Sequence, residues 1–139
     1  MRADYKWSHD ASTGGVGDRN AEQWLRATWE GSPRVLRVVL GIAWKYGLGL
    51  RLGSTADATR ILGWRITNTQ PNQVTVDADS RILKARNTVS LADESIHWQT
   101  TVTYTNVAGR LIWTAARIVH QFLVPRLVRR AIRHAPSSR

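Results

Sequence analysis

The 139-residue chain contains no cysteine. That excludes a disulfide framework, a thiolate nucleophile and any zinc or iron–sulfur site built on sulfur. Long apolar runs are also missing. The longest apolar stretch, Val35 to Leu52, is interrupted by Arg37, Lys45 and Arg51, whereas a membrane span needs about 20 mostly apolar residues. It predicts a buried or half-buried helix instead. Residues Met1 to Asp10 carry Asp4, Lys6 and Asp10 and lack the apolar core of a signal peptide. With the missing thiols, this gives a cytoplasmic expectation. Acid is the third scarcity: Asp and Glu number 10 against 20 Lys and Arg, a net charge of +10. The imbalance is uneven, 8 basic against 6 acidic residues over 1–59 but 12 against 4 over 60–139. From Asn106 onward there are seven Arg and no acid. Such an end suits an anionic partner (a phosphate, an acidic protein, a membrane surface or RNA) or simply forms a solvated face.

What is present is a globular composition of 42% apolar and 22% charged residues, enough for one domain with one core. Residues 3–8 alternate loosely, placing Tyr5 and Trp7 on one side of a first strand. The glycines of 11–17 lack the Lys-Ser/Thr that would follow in a phosphate loop, so this segment reads as a connection. Asn20 and Gln23 form a capping box that opens a helix to about Trp29, with Trp24, Leu25, Thr28 and Trp29 on its apolar face. Ser32-Pro33 starts a second helix, to about Tyr46, closed by Gly47 and Gly49. Thr55 to Thr59 suggests a short turn.

From Ile61 the period changes to two. Leu62, Trp64 and Ile66 share a face. So do Val74, Val76 and Ala78, then Leu83, Ala85, Asn87, Val89 and Leu91, then Ile96, Trp98, Thr100, Val102 and Tyr104. This predicts an antiparallel meander with one apolar and one wet face. A long helix follows from about Asn106 to His134, which Pro125 is expected to kink or break. It carries two apolar stripes: Leu111, Ala115, Ile118 and Phe122, and on the opposite side Trp113, Ala116, His120, Val124 and Leu127. The expected class is α+β: an antiparallel sheet of about five strands packed on a long C-terminal helix, with two short helices after the first strand. The domain spans residues 1–134, with 135–139 a tail.

No catalytic, metal-binding or cofactor-binding set emerges, and no cofactor is expected. Ser95, His97 and Asp93 are close in sequence, but alternation leaves Ser95 and His97 on a wet face with no cleft to exclude water. His9-Asp10 falls at a strand end, where a loop contact is expected in place of a dyad. Asp77 and Asp79 share a strand face, but two carboxylates are too few oxygens for a calcium or magnesium site. His120 has only Ala116 and Val124 at helical spacing, so no orienting carboxylate is local to it. The seven tryptophans fill a core, or Trp64, Trp98 and Trp113 among them wall a cavity. Arg126, Arg129, Arg130 and Arg133 form either an oxyanion-gripping patch or favourable charge at a helix C-terminus.

The segments NAEQWLRATWEGSPR (20–34), LGWRI (62–66) and GRLIWTAARIVHQFLVPRLVRRA (109–131) give the chain a resemblance to the helix-grip, or START-like (SRPBCC), superfamily. More narrowly it resembles the small actinobacterial proteins grouped as DUF2867. The resemblance implies a curved sheet gripping the C-terminal helix around a cavity for an apolar molecule. The expected function is non-enzymatic binding of an apolar or amphipathic small molecule between sheet and helix. The expected cavity residues are Trp64, Trp98, Tyr104, Leu111, Ala115, Ile118 and Phe122, with Arg117 or Arg126 at a polar end. Two alternatives stand beside it. One is a homodimer or interaction module using Trp113, Ala116, His120 and Leu127 of the C-terminal helix. The other is an anionic membrane or nucleic-acid surface contact through the Arg-rich end. Sequence-specific nucleic-acid binding is not expected, because no recognition motif accompanies the charge.

Overall fold

In a computed structural model, which describes residues 4–13, 19–54, 58–92 and 94–133, alternation and capping translate into six strands and three helices. β1 is Tyr5–Ser12, α1 Ala21–Trp29 and α2 Arg34–Ile42, which runs on into a π-helical turn, Ala43–Gly47. Then come β2 (Arg60–Ile61), β3 (Trp64–Gln70), β4 (Gln73–Asp79), β5 (Leu83–Ala92), β6 (Ser95–Tyr104) and α3 (Val107–Arg133). The strands form one antiparallel sheet in the order β1-β6-β5-β4-β3-β2. The helices lie on its inner face, giving an α+β, helix-grip-like architecture. The turn expected at 55–59 and the tail at 135–139 fall wholly or partly outside the described residues.

The sheet has six strands, one more than the meander pattern predicts. The extra strand comes from a two-residue reversal at Leu62-Gly63, which pairs Ile61 with Trp64. Both turn residues have positive φ, 48° and 91°, as the tight primed hairpin turn demands. Leucine is an unusual choice for the first position, so the turn carries no Asn-Gly or Asp-Gly signature. β1 runs on to Ser12, beyond its expected end, because it pairs with β6 along its whole length.

The capping box forms: the Gln23 amide donates to Asn20 Oδ1 and the Asn20 amide donates to Gln23 Oε1, both at 2.8 Å. α1 then buries Trp24, Leu25 and Trp29 against the sheet. The sheet answers with Val74, Val76, Leu83, Val89, Ile96 and Val102, all nearly inaccessible.

α3 faces the sheet the other way round from the expectation. Trp113, Val124 and Leu127 are 4–6% exposed and pack inward, whereas Leu111, Ile118 and Phe122 are 60–69% exposed on the outward side together with Ala115. Two physical reasons fix this choice. Burying an indole removes about 150–250 Å² from water, worth about 4 kcal/mol or more, and only the inward stripe contains one. The outward stripe continues at helical spacing into Arg126, Arg129 and Arg133, so a sheet on that side would have to bury three guanidinium groups. The same inward side carries Gly109, where a Cβ would lie 1.9 Å from the Ile82 carbonyl oxygen. The helix start therefore rests directly on the β4–β5 turn. Pro125 neither breaks nor ends the helix. It leaves the Gln121 carbonyl without its helical donor, and Gln121 is exposed, so water can take that role.

Candidate ligand cavity

A cavity of about 260 Å³ lies between the inner sheet face, the α2–π-turn segment and α3. Its sheet side is Trp64, Ala85, Asn87 and Thr100. One bank is Leu40, Ala43 and Trp44, and the other is Ile112, Ala116 and Val119. The π turn widens the helix here: the Leu48 amide reaches back to the Ala43 carbonyl at 3.0 Å, five residues away, a geometry frequent at functional sites. Trp29, Trp44, Trp64 and Trp98 form one aromatic cluster, with ring centroids 5.0–5.7 Å apart in the contacting pairs.

A polar group is embedded in this apolar setting. Trp98 Nε1 lies 3.2 Å from Asn87 Oδ1, Thr100 Oγ1 lies 2.5 Å from the same oxygen, and His120 Nε2 lies 3.1 Å from Thr100 Oγ1. The donor inventory orders these contacts. An indole N–H can only donate, so the Asn87 amide must present its oxygen. That oxygen can only accept, so Thr100 spends its single hydrogen on it. Thr100 can then only accept from His120, which places the imidazole proton on Nε2 and leaves Nδ1 with a bare lone pair. Burial lowers the His120 pKa from 6.5 to about 4, so the ring is neutral at neutral pH. Trp7 packs on it edge to face and Trp113 at a tilt, with centroids 5.0 and 5.4 Å away.

Among the described residues, four buried side-chain polar atoms have no hydrogen-bond partner, and three of them belong to this lining: His120 Nδ1, Trp64 Nε1 and Trp113 Nε1. One acceptor and two donors therefore stand among apolar walls. Unpaired buried groups of this kind cost about 1–3 kcal/mol each.

The expected cavity residues divide. Trp64 lines the cavity. Trp98 lies beneath it, 1% exposed, as the donor that fixes Asn87. Tyr104 borders a different hollow with Tyr5, Arg110 and Arg117, where its phenol pKa is raised, chiefly by burial. Leu111, Ala115, Ile118 and Phe122 face outward, as the orientation of α3 requires. Arg126 lies over the Phe122 ring, 3.9 Å from its centroid, and neither it nor Arg117 reaches the cavity. The Arg-rich end is split as well. Arg126, Arg129 and Arg133 follow the outward stripe, while Arg130 donates to the Gly31 carbonyl at 2.6 Å. The stripe weighed as a dimer interface, Trp113, Ala116, His120 and Leu127, is the one turned to the sheet. Asn87 and Thr100 were not singled out by sequence reasoning. Their signal was present, as polar residues at inward positions of strands otherwise filled with Val, Leu, Ile and Ala.

The outer sheet face holds no comparable site. His97 Nδ1 meets Asp10 Oδ1 at 2.5 Å, and Ser95 Oγ donates to the Ala92 carbonyl at 2.8 Å, so neither addresses the other. Asp93 lies outside the described residues. His9 is on the other, inner side of β1, stacked on Trp7. Asp77 takes a bidentate pair from Arg86 at 2.8 and 2.9 Å, which raises the Arg86 pKa, and Asp79 pairs with Arg51 at 3.2 Å. The two carboxylates are thus each paired with arginine and do not converge on a shared cation. A broader hollow of about 690 Å³ surrounds these pairs, and within it both carboxylates are already taken by Arg86 and Arg51. Among the described residues no His, Asp and Glu cluster could hold a metal ion, and no helix is long and apolar enough to cross a membrane. Compared with known proteins, the chain matches no family model and no curated protein.

Proposed function

We propose that the chain is a non-enzymatic binding domain for a small apolar or amphipathic molecule held between the sheet, the α2–π-turn segment and α3. The observation that carries this reading is one apolar cavity lined by three side chains whose buried polar atoms, His120 Nδ1, Trp64 Nε1 and Trp113 Nε1, are unpartnered, atoms that a ligand reaches once these side chains turn toward it. The matching ligand has a compact apolar skeleton and one group that both donates and accepts, such as an alcohol, a phenol or an amide. Its donor meets the imidazole lone pair, its acceptor meets an indole N–H, and its skeleton gains roughly 25 cal/mol per Å² buried. The resemblance to the helix-grip superfamily agrees with this arrangement. Catalysis fits the lining less well. Among the described residues, His120 is its only titratable side chain, meets no carboxylate that would orient it and is a weak base by virtue of burial. A cytoplasmic setting belongs to the same reading, on the ground that the chain has no cysteine to oxidise.

Native mass spectrometry of freshly purified protein, compared with the denatured sample, tests this. The expected result is a small-molecule adduct lost on denaturation, or, for bare protein, saturable quenching of tryptophan fluorescence by 1-naphthol. Ala116→Phe places a ring in the cavity from its α3 bank, and should abolish either signal while the helical and strand content persist. Bare protein that also fails to bind the probe overturns the reading, as does undiminished binding by the filled variant.

A further inference from the structure

We propose that the outward sides of α2, its π turn and α3 form a docking face for an anionic lipid bilayer surface. The first ground is where the apolar side chains sit. Val35, Val38, Val39, Ile42 and Tyr46 on one helix are 53–79% exposed, and Leu111, Ile118, Val119 and Phe122 on the other are 60–69% exposed. α2 is apolar and amphipathic, yet has no fully buried residue. Only Leu36, Leu40 and Trp44 pack partly on the core, so its broader apolar side points away from the protein. Both helices flank the same cavity on the inner side of the sheet, so their outward sides lie on the layer opposite the sheet. So many large apolar side chains exposed on one layer mark an interaction face.

The second ground is charge. Between them the two helices and the π turn carry Arg34, Arg37, Lys45, Arg110, Arg117, Arg126, Arg129, Arg130 and Arg133, and no Asp or Glu. Along α3 the outward stripe is apolar from Val107 to Phe122 and then becomes Arg126, Arg129 and Arg133 at the same spacing. A helix that presents an aliphatic ridge continuing into arginines matches an interface of acyl chains and lipid phosphates. Arg126 over the Phe122 ring already shows a guanidinium folded onto an apolar neighbour with its charge free to face outward. Charge decides against a second copy of the chain on this face, since apposing two such surfaces brings cations together with no acid between them. Composition decides against a protein partner. The exposed apolar residues are mostly aliphatic, and the two exposed aromatic rings among them, Tyr46 and Phe122, sit on separate helices, whereas protein interfaces concentrate aromatic anchors at one centre. This inference stands on the exposed faces alone, independently of what occupies the cavity.

Sedimentation of the full chain with phosphatidylcholine vesicles, with and without phosphatidylglycerol, tests it. Binding is expected only with the anionic lipid, weakening as salt is raised. Ile118→Glu and Ile42→Glu, both at exposed positions, should each lower the partition coefficient by about tenfold, and Arg129→Gln by about fivefold. Their melting profiles should match the parent's. Absence of sedimentation of the parent chain with anionic vesicles overturns the proposal. So does binding that the two glutamate variants leave unchanged, or light scattering that shows the face covered by a second copy which vesicles do not displace.

Discussion

Asn87 and Thr100 stand directly opposite each other on β5 and β6, and the Thr100 hydroxyl donates across the ladder to the Asn87 side-chain oxygen at 2.5 Å. Both residues are almost fully buried. The pair joins the Trp98 indole on one side to the His120 ring on the other, so one amide oxygen orders a proton arrangement across strand and helix.

Asn87→Leu keeps the branched outline of that side chain and removes its acceptor. The Thr100 O–H then loses its partner in a buried site, and the Trp98 N–H keeps only its longer contact to Thr100 Oγ1 at 3.3 Å. Stability should fall by about 2–3 kcal/mol, read as a lower urea midpoint with an unchanged denaturant slope. The freed Thr100 hydrogen can turn to His120. Nitrogen NMR of the ring should therefore show Nε2 protonated in the parent and a mixture of tautomers in the variant. A parent spectrum with the proton on Nδ1 would contradict the ordering.

The pH dependence of stability follows from the same ring. In the unfolded chain His120 takes up a proton near pH 6.5, whereas in the folded protein burial delays this to about 4. Between those values the unfolded state binds a proton that the folded state refuses. Stability is therefore fully present above about pH 6.5 and declines as pH falls toward 4, by about 3 kcal/mol across the window. His120→Gln is uncharged throughout, so the difference in unfolding free energy between parent and variant should shrink by that amount from pH 7 to pH 4. A constant difference would show that the ring is protonated in the folded state.

Gly109→Ala tests how α3 is seated. The added methyl carbon meets the Ile82 carbonyl oxygen, a backbone atom that also accepts the Thr105 amide at 2.8 Å. Neither side can yield by rotating a side chain. The cost should exceed about 2 kcal/mol despite the better helix propensity of alanine. A neutral or stabilising result would mean that the helix start does not rest on the β4–β5 turn.

The sequence is most legible where a local device carries a recognisable residue signature. The Asn20–Gln23 box spans four residues and satisfies its own amides, and the alternation from Val74 to Tyr104 states which side of each strand is dry. The face of α3 is a different matter. Both stripes are apolar, so periodicity permits either orientation, and the decision lies in Trp113 against the arginines that extend the outward stripe. The Leu62-Gly63 reversal escaped because its backbone demand is met without the usual residue at its first position. The polar cluster escaped because Asn87, Thr100 and His120 come from three elements and meet only once sheet register and helix rotation are set. His120 lacked a partner within its own helix, and it found one across the core.

The strand that Leu62-Gly63 creates also determines how the molecule meets its own kind. On that side the sheet ends in a two-residue strand, and β3 beyond it carries a register shift between Ile66 and Asn68 and then polar residues. An incoming chain that tried to extend the ladder would find a few pairing positions, a bulge and no apolar side chains to zip. This edge is thereby protected against fibrillar growth, which leaves the opposite edge, the eight-residue β1 in unbroken register with β6, as the side on which a ladder could be extended.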